Sequence, residues 1–531
     1  MFSTYSSPVF KYIMKHFLLF LLFLFVFVHS AFSGYTTPNS GVRWNFDSLV
    51  ANSGGIVTGI FPSYTVKDTL FIAPNDLLEI RKGSEIAISY RKGITIRGGC
   101  IALGSADSLI TFTRSDSTWQ ELRFEDSAVD SLCIMEYVVV EYARVGLNFV
   151  NASPALQYST VRNTGTITGT LSGSGNYGIQ CFNSNAVLRH DSIYNNAQYG
   201  ININSGSSPQ IEHCIIFNNN LQGTAFKNQI SIGAQGINSP MIRDNEIYHT
   251  TPNIKVGGIS ISAFFPGSGS NAVIEHNYIH NNAYGIAIGS QGSSTLQVSI
   301  RNNRIVKNTY SDPIVAGSGI NFNSYSPSVQ KTIVAGNEIA DNSWGVTILG
   351  NATPNLGNLA NDDSTDDGRN VFINNRNRDT VFALYNNSPG PISAENNYWG
   401  TNDSNSVARV IFDSSDISSL GRVSYMPFLT VTSIVPVESK LKIPQEIFLD
   451  QNYPNPFNPS TRFIFTVQQA GFVTLNVYDL IGRGVATLVE GELSPGTYQT
   501  VWNASLLSSG VYLFQLRAGD FVSTKKMILQ K

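Results

Sequence analysis

Charge is what this sequence has least of. Only 13% of its 531 residues are Asp, Glu, Lys or Arg, and the formal net charge is −3, so no electrostatic case exists for a nucleic-acid partner. Cysteine is also scarce. Cys100, Cys133, Cys181 and Cys214 show neither zinc nor disulfide-framework spacing; they read as small buried residues, though stacking of repeats could bring two of them together. Long apolar runs are missing with one exception, residues 17–28, which follow Lys11 and Lys15 and precede Ala31, Phe32 and Ser33. That pattern reads as a secretory signal, residues 1–33, with translation expected from Met14 and no membrane span after cleavage; an uncleaved anchor is the alternative. With 42% hydrophobic residues and 45 glycines, the chain should fold, show a neutral surface and hold two or more domains.

A recurring phrase occupies residues 186–344. Its copies include PQIEHCIIFNN, PMIRDNEIYH, AVIEHNYIHNN and VSIRNNRIVKN, each with an apolar residue three before a small polar residue and another two after it. The small polar residues form a column: Ser159, Asp191, Cys214, Asn245, Asn277, Asn303, Asn337, Asn370 and Asn397. Successive members lie 23 (Asp191 to Cys214) to 34 (Asn303 to Asn337) residues apart, which is repeat-array spacing. Helical repeats would need apolar residues at i, i+3, i+4 and i+7 over ten or more positions, and these units offer only short alternations broken by Asn and Gly. Asn suits a sharp left-handed bend between short strands, and Gly200, Gly258, Gly285, Gly319 and Gly345 supply a second bend and a second strand. Such units stacked about 4.8 Å apart make a parallel β-helix.

Three further columns flank the bend. Two before it, Arg189, Glu212, Arg243, Glu275 and Arg301 alternate in sign, a cross-strand ladder that requires no catalysis. One before it, His190, His213, Asp244 and His276 could ligate a transition metal only by converging, whereas residues about 4.8 Å apart on a straight ladder stack instead. Three after it, Tyr194, Phe217, Tyr248 and His280 make either an aromatic stack that fills core or, if outward, a strip on which sugars stack. The densest carboxylate run is Asp362, Asp363, Asp366 and Asp367. Its oxygens admit Ca²⁺, but the run lacks the closing Glu of an EF-hand, and Asp-rich turn chemistry is the other reading. No catalytic residue is assigned.

These repeats resemble the right-handed parallel β-helix proteins of the pectate-lyase-like class, and PNLGNLANDDSTDDGRNVF followed by ISAENNYWGT looks like the usual end of such arrays in secreted bacterial proteins. The resemblance covers residues 42–428. It implies a fold shared by lyases, hydrolases, epimerases, adhesins and inert surface proteins, so it does not fix an activity. Looser strands over residues 42–129 are expected to form early coils and an N-terminal cap, and the Gly- and Ser-rich insertions at 164–176 and 264–271 are expected to be loops on one face.

Past residue 428 the repeat stops. A proline-bearing linker, 430–447, leads to alternating strands with Gly and Pro turns over 448–531, enough for a small antiparallel, Ig-like sandwich. Asn452, Tyr453, Pro454, Asn455, Pro456 and Phe457, then Tyr478 and Asp479 with Gly482 and Arg483, then Ser509, Gly510 and Tyr512, and finally Lys525 and Lys526 resemble the C-terminal sorting domain (type A) of type IX secretion cargo. That resemblance implies the type IX machinery as a partner, passage through the periplasm of a Gram-negative bacterium, and release or surface attachment.

The expected fold is therefore all-β: a right-handed parallel β-helix over 34–429, then the sandwich. Two functions are in view. One is a non-enzymatic, adhesin-like or glycan-contacting scaffold. The other is a polysaccharide lyase or hydrolase acting on uronates; the Asn-Thr-Asp, Gly-His-Gly and Arg-Ile-Lys phrases of polygalacturonases are absent, and acidic residues from three neighbouring coils beside an Arg or Lys would be its mark.

Overall fold

The computed structural model describes residues 34–165, 175–251, 255–310, 316–325, 329–430, 448–449, 451–452, 455–467, 471–493, 496–505 and 507–530. The expected signal, Met14 and nearly all of the expected linker lie outside them. So does most of the 164–176 insertion.

The chain divides into two compact units, one ending near residue 251 and one running from there to the C terminus, with a short exchange at 242–251. In the first unit each coil has three strands. Val187–Arg189 belongs to sheet I, Ser192–Tyr194 to sheet II and Ile201–Asn204 to sheet III. The next strand, Gln210–Glu212, then pairs in parallel register with the first, Leu188 opposite Ile211 and Arg189 opposite Glu212. Three strands per coil replace the two expected, because each unit bends twice before its glycine. The interior is a stack of apolar side chains: Leu188, Ile193, Ile201, Ile203, Ile211 and Ile216 are fully buried, each stabilising by roughly 1.5–3 kcal/mol relative to exposure.

This unit opens with a cap. Phe46–Asn52 is helical, started by a capping box in which Asn45 and Ser48 exchange side-chain and backbone hydrogen bonds. The Asp76 carboxylate accepts from the backbone N–H groups of Asn39, Ser40, Gly41 and Val42 at 2.9–3.2 Å. Burial works against its charge, but these bonds and the Thr37 hydroxyl outweigh it and hold its pKa low.

The second unit repeats the three-strand coil. Val273–Glu275, Tyr278–His280 and Ile286–Gln291 are followed by Ser299–Arg301, Arg304–Val306 and Ser318–Tyr325, each pairing in parallel. The 264–271 insertion is more than a loop: Gly269–Ser270 pairs with Thr295–Leu296, and that with Val329–Gln330, so successive insertions form a small sheet of their own. The array closes with Leu384–Asn387, the helix Ser404–Val410 capped by Asp403, and Ile411–Phe412.

The sandwich packs Phe448–Leu449, Ser460–Val467 and Gly496–Asn503 as one antiparallel sheet, and Gly484–Leu493, Gly471–Tyr478, Gly510–Ala518 and Phe521–Leu529 as the other. Phe463 and Phe514 meet at 4.8 Å in a T-shaped pair within the core they share with Val473, Leu475 and Met527.

Candidate functional site

The polar column holds the repeat together from inside. In the second unit the Nδ2 of each Asn donates to the Oδ1 of the next: Asn245 to Asn277 (2.9 Å), to Asn303 (2.9 Å), to Asn337 (3.0 Å), to Asn370 (3.0 Å) and to Asn397 (2.9 Å). A second ladder, absent from the sequence reading, runs through Asn282, Asn308, Asn342 and Asn375 at 3.0–3.2 Å. These amides do not take the left-handed angles. The residue before each column position does: His190, His213, Asp244, His276, Asn302 and Asn396 have φ of 55–57°, Arg369 62° and Gly336 69°. The expectation that the column Asn makes the bend is thus corrected; its side chain turns inward to satisfy backbone that the bend leaves unpaired. The glycine expectation needs the same revision. Gly258, Gly285 and Gly319 keep ordinary angles, and what requires glycine is proximity: a Cβ there would lie 2.4–2.8 Å from the next coil's carbonyl oxygen.

The flanking columns are structural. Arg189 Nε meets Glu212 Oε2 at 2.9 Å, and Glu275 stands in register with Arg301. His190 and His213 stack at 5.0 Å and extend a pile of rings from Tyr137 and Tyr158, with separations of 5.2 and 4.8 Å. Tyr194, Phe217 and Tyr248 stack at 4.7 and 5.1 Å. His280, the fourth member of that column, stacks on Tyr278 and meets Glu246 at 3.2 Å. Among the described residues no three His, Cys, Asp or Glu side chains gather as a metal site would need.

Cys100 and Cys133 are brought opposite one another on neighbouring strands, and all four cysteines are buried thiols. In the acidic run, Asp363 caps a short 3-10 turn by accepting from Thr365, and Asp366 is buried, accepting from Asn355 and Asn361 amides at 2.7 and 3.1 Å. Asp362 is exposed and Asp367 half-buried, its carboxylate 4.0 Å from Arg369. Turn chemistry accounts for what Asp363 and Asp366 do here.

The outer face of sheet III differs between the units. In the first, Arg97, Glu121, Arg123 and Glu125 form a network with contacts of 2.9–3.4 Å, and Asn148 donates to Glu121 at 2.8 Å. Burial opposes ionisation of Glu125, but Arg97 and Arg123 outweigh it and keep its pKa low. Both carboxylates come from one coil rather than three. Burial pushes Asp191 well above the usual carboxylate range, and Asp191 lies enclosed within the coil.

In the second unit the face of sheet III is neutral. Its outward column runs Ser260, Ala287, Asn321, Thr347, Tyr385, Phe412 by register. Thr347 Oγ1 accepts from Asn321 Nδ2 at 2.7 Å and shares a 2.9 Å bond with Ser318. Beside it four half-buried rings gather: Trp344 stacks on Phe382 at 4.7 Å, Tyr385 on Phe412 at 4.6 Å, and Trp344 meets Tyr385 edge-on at 5.2 Å. The sequence reading missed this cluster, since Phe382 and Phe412 fall outside the repeated phrase.

In the sandwich, the Asn455 carboxamide accepts from the Ile528 N–H at 2.8 Å and donates to the Lys526 carbonyl at 3.4 Å; Phe457 exchanges backbone bonds with Ile528 and Gln530. The Asn-Pro motif is thereby tied to the strand carrying Lys525 and Lys526, with Pro456 joined to Asn455 by a cis bond; Pro454 lies outside the described residues. Gly482, at φ +83°, turns between strands, Arg483 pairs with Asp479 at 2.7 Å, and Tyr512, two residues into the strand that begins at Gly510, donates to the Ser508 carbonyl.

Two family models match: a right-handed β-helix region over residues 155–326 and a secretion system C-terminal sorting domain over 451–530. No curated protein matches the chain. Among solved structures, the mannuronan C-5 epimerase A-module of Azotobacter vinelandii is 11% identical with a TM-score of 0.31, over 59% of this chain and 80% of that one. The tailspike gp49 of Acinetobacter baumannii phage Fri1, a capsular polysaccharide depolymerase, is 8% identical with a TM-score of 0.31, over 94% and 80%. A tailspike of E. coli phage HK620, solved with a pentasaccharide, is 8% identical with a TM-score of 0.23, over 94% and 87%. The two matched regions and the parallel coils between and around them agree: this is a right-handed parallel β-helix protein carrying a C-terminal type IX sorting domain, and it is exported to the cell surface or beyond.

Proposed function

We propose that the chain is an adhesin-like scaffold that contacts glycan through the outer face of sheet III in its second unit and does not cleave it. The carrying observation is the group Trp344, Phe382, Tyr385 and Phe412 beside the Asn321 and Thr347 polar column. Half-buried rings offer apolar area with a polar tip at little entropic cost, and sugars stack on them while amides and hydroxyls take the hydroxyl groups. That face carries no formal charge in its column, which favours a neutral glycan over a uronate. In this reading the cell is Gram-negative, the route runs through the periplasm, and the β-helix, linker and sandwich keep the boundaries 34–429, 430–447 and 448–531.

An enzyme would need a proton donor or a free carboxylate pair facing substrate. The carboxylates of the first unit's face are instead engaged by guanidinium groups, and the carboxyl with the raised pKa is enclosed. A polysaccharide lyase or hydrolase is the alternative, with Asp362, Asp363, Asp366 and Asp367 the residues left to test for Ca²⁺.

The test is affinity electrophoresis of the full chain through gels holding xyloglucan, glucomannan, pectin or alginate. Retardation by a neutral glycan, lost in Trp344→Ala/Tyr385→Ala at unchanged melting temperature, is expected. Release of unsaturated or reducing ends from pectin or alginate, with or without Ca²⁺, would overturn the scaffold reading.

A further inference from the structure

The turn joining Gly471–Tyr478 to Gly484–Leu493 is held from within. Asp479 Oδ1 accepts from the N–H groups of Ile481 (3.1 Å) and Arg483 (2.9 Å), Oδ2 accepts from Arg483 Nε (2.7 Å), and the Asp479 and Arg483 backbones close the loop at 3.0 Å. The Arg483 guanidinium, by its hydrogen bond, keeps the Asp479 carboxyl ionised, below its usual pKa. Gly482 supplies the left-handed residue that such a turn requires.

None of this uses the side chains of Leu480 and Ile481. They stand 67% and 75% exposed, more than Phe472, Val522 or Ile528, the other exposed large apolar residues among those described in the sandwich. Turn chemistry favours Asn, Asp, Ser or Gly at such a tip, so two aliphatic side chains there have no local explanation. A pair of apolar anchors on a turn already fixed in shape loses little conformational freedom when it docks.

We propose that Leu480 and Ile481 are the docking tip by which the sorting domain engages the export machinery, entering an apolar pocket. The partner follows from the domain that bears the tip, since a sorting domain has to be read by the apparatus that moves it. The pocket's chemistry follows from the two exposed aliphatic side chains. The inference is independent of the glycan reading.

The experiment expresses the full chain in a type IX-secreting host and measures the exported and periplasmic fractions by immunoblot. Leu480→Ser/Ile481→Ser is expected to lower the exported fraction at least tenfold while the retained protein melts at the wild-type temperature. Val522→Ser is the control for loss of an equally apolar but non-tip side chain, and it should export normally. Leu480→Met/Ile481→Val should restore export. Wild-type export of the serine variant overturns the proposal. So does a loss of export that appears only together with a lowered melting temperature, because the tip would then serve folding and not docking.

Discussion

The two units build the same coil with different interiors and different faces. In the second, five consecutive amide-to-amide bonds link Asn245 to Asn397, and the outer face of sheet III is neutral and aromatic. In the first, the column reads Ser159, Asp191, Cys214; the Ser159 N–H donates to Asp191 Oδ1 at 2.8 Å, Asp191 Oδ2 is buried without a hydrogen-bond partner, and the face is a knot of ion pairs. The lesson is that a ladder position asks for a group that both donates and accepts. Asn meets this with one side chain, whereas Asp meets it only by holding a proton.

The largest expected effect comes from breaking the better ladder. Asn303→Ala removes the acceptor of the buried Asn277 N–H, one of the two acceptors of the Asn277 amide and the Asn303 donor to the Ile274 carbonyl, and should lower stability by roughly 3 kcal/mol, since each unsatisfied buried group costs about 1–3 kcal/mol. Thermal melting of the purified chain measures it; an unchanged melt would mean that water replaces the ladder.

Repairing the poorer ladder should do the reverse. Asp191→Asn is expected to raise stability at pH 7 by about 2 kcal/mol. Because burial raises the folded pKa of Asp191 above the unfolded 3.8, wild-type stability is fully present below about pH 4 and is lost as pH rises toward the folded value. The advantage of the Asn variant should therefore vanish near pH 3. A gain that persists there would show that packing, not ionisation, separates the two.

Smaller still is the charged face. Arg123→Ala should cost no more than about 1 kcal/mol, as befits partly exposed pairs. The sign of its pH dependence is opposite: Glu125 has a lowered pKa, so its contribution is present above the unfolded 4.5 and is lost as pH falls through the folded value. Wild type and variant should converge in acid and also in high salt.

How much of this could be read in advance varies by residue. The period was legible because each coil repeats the same inward pattern, as at Ile274, Ile300 and Val334. The histidine column was legible as a stack, since in-register residues on neighbouring strands cannot converge on one ion. The left-handed position was assigned one residue too late, because Asn favours both the bend and the ladder and sequence alone does not separate the two roles. The Trp344, Phe382, Tyr385 and Phe412 cluster was not legible, since its members come from two strands, a loop and the strand after a helix, separated by irregular insertions. The tip at Leu480 and Ile481 sat inside a recognised motif, but its exposure is a property of the folded turn.

By itself, the sequence determined the coil, its Asn column, the change from coils to antiparallel strands and the C-terminal sorting domain. Each is written in local spacing, and local spacing survives in a string. Only the tertiary structure decided whether a column Asn makes the bend or the ladder, that a third sheet closes each coil, and which rings share a surface. Those depend on distances between residues far apart in sequence, set by how loops of unequal length return the chain to the same stack.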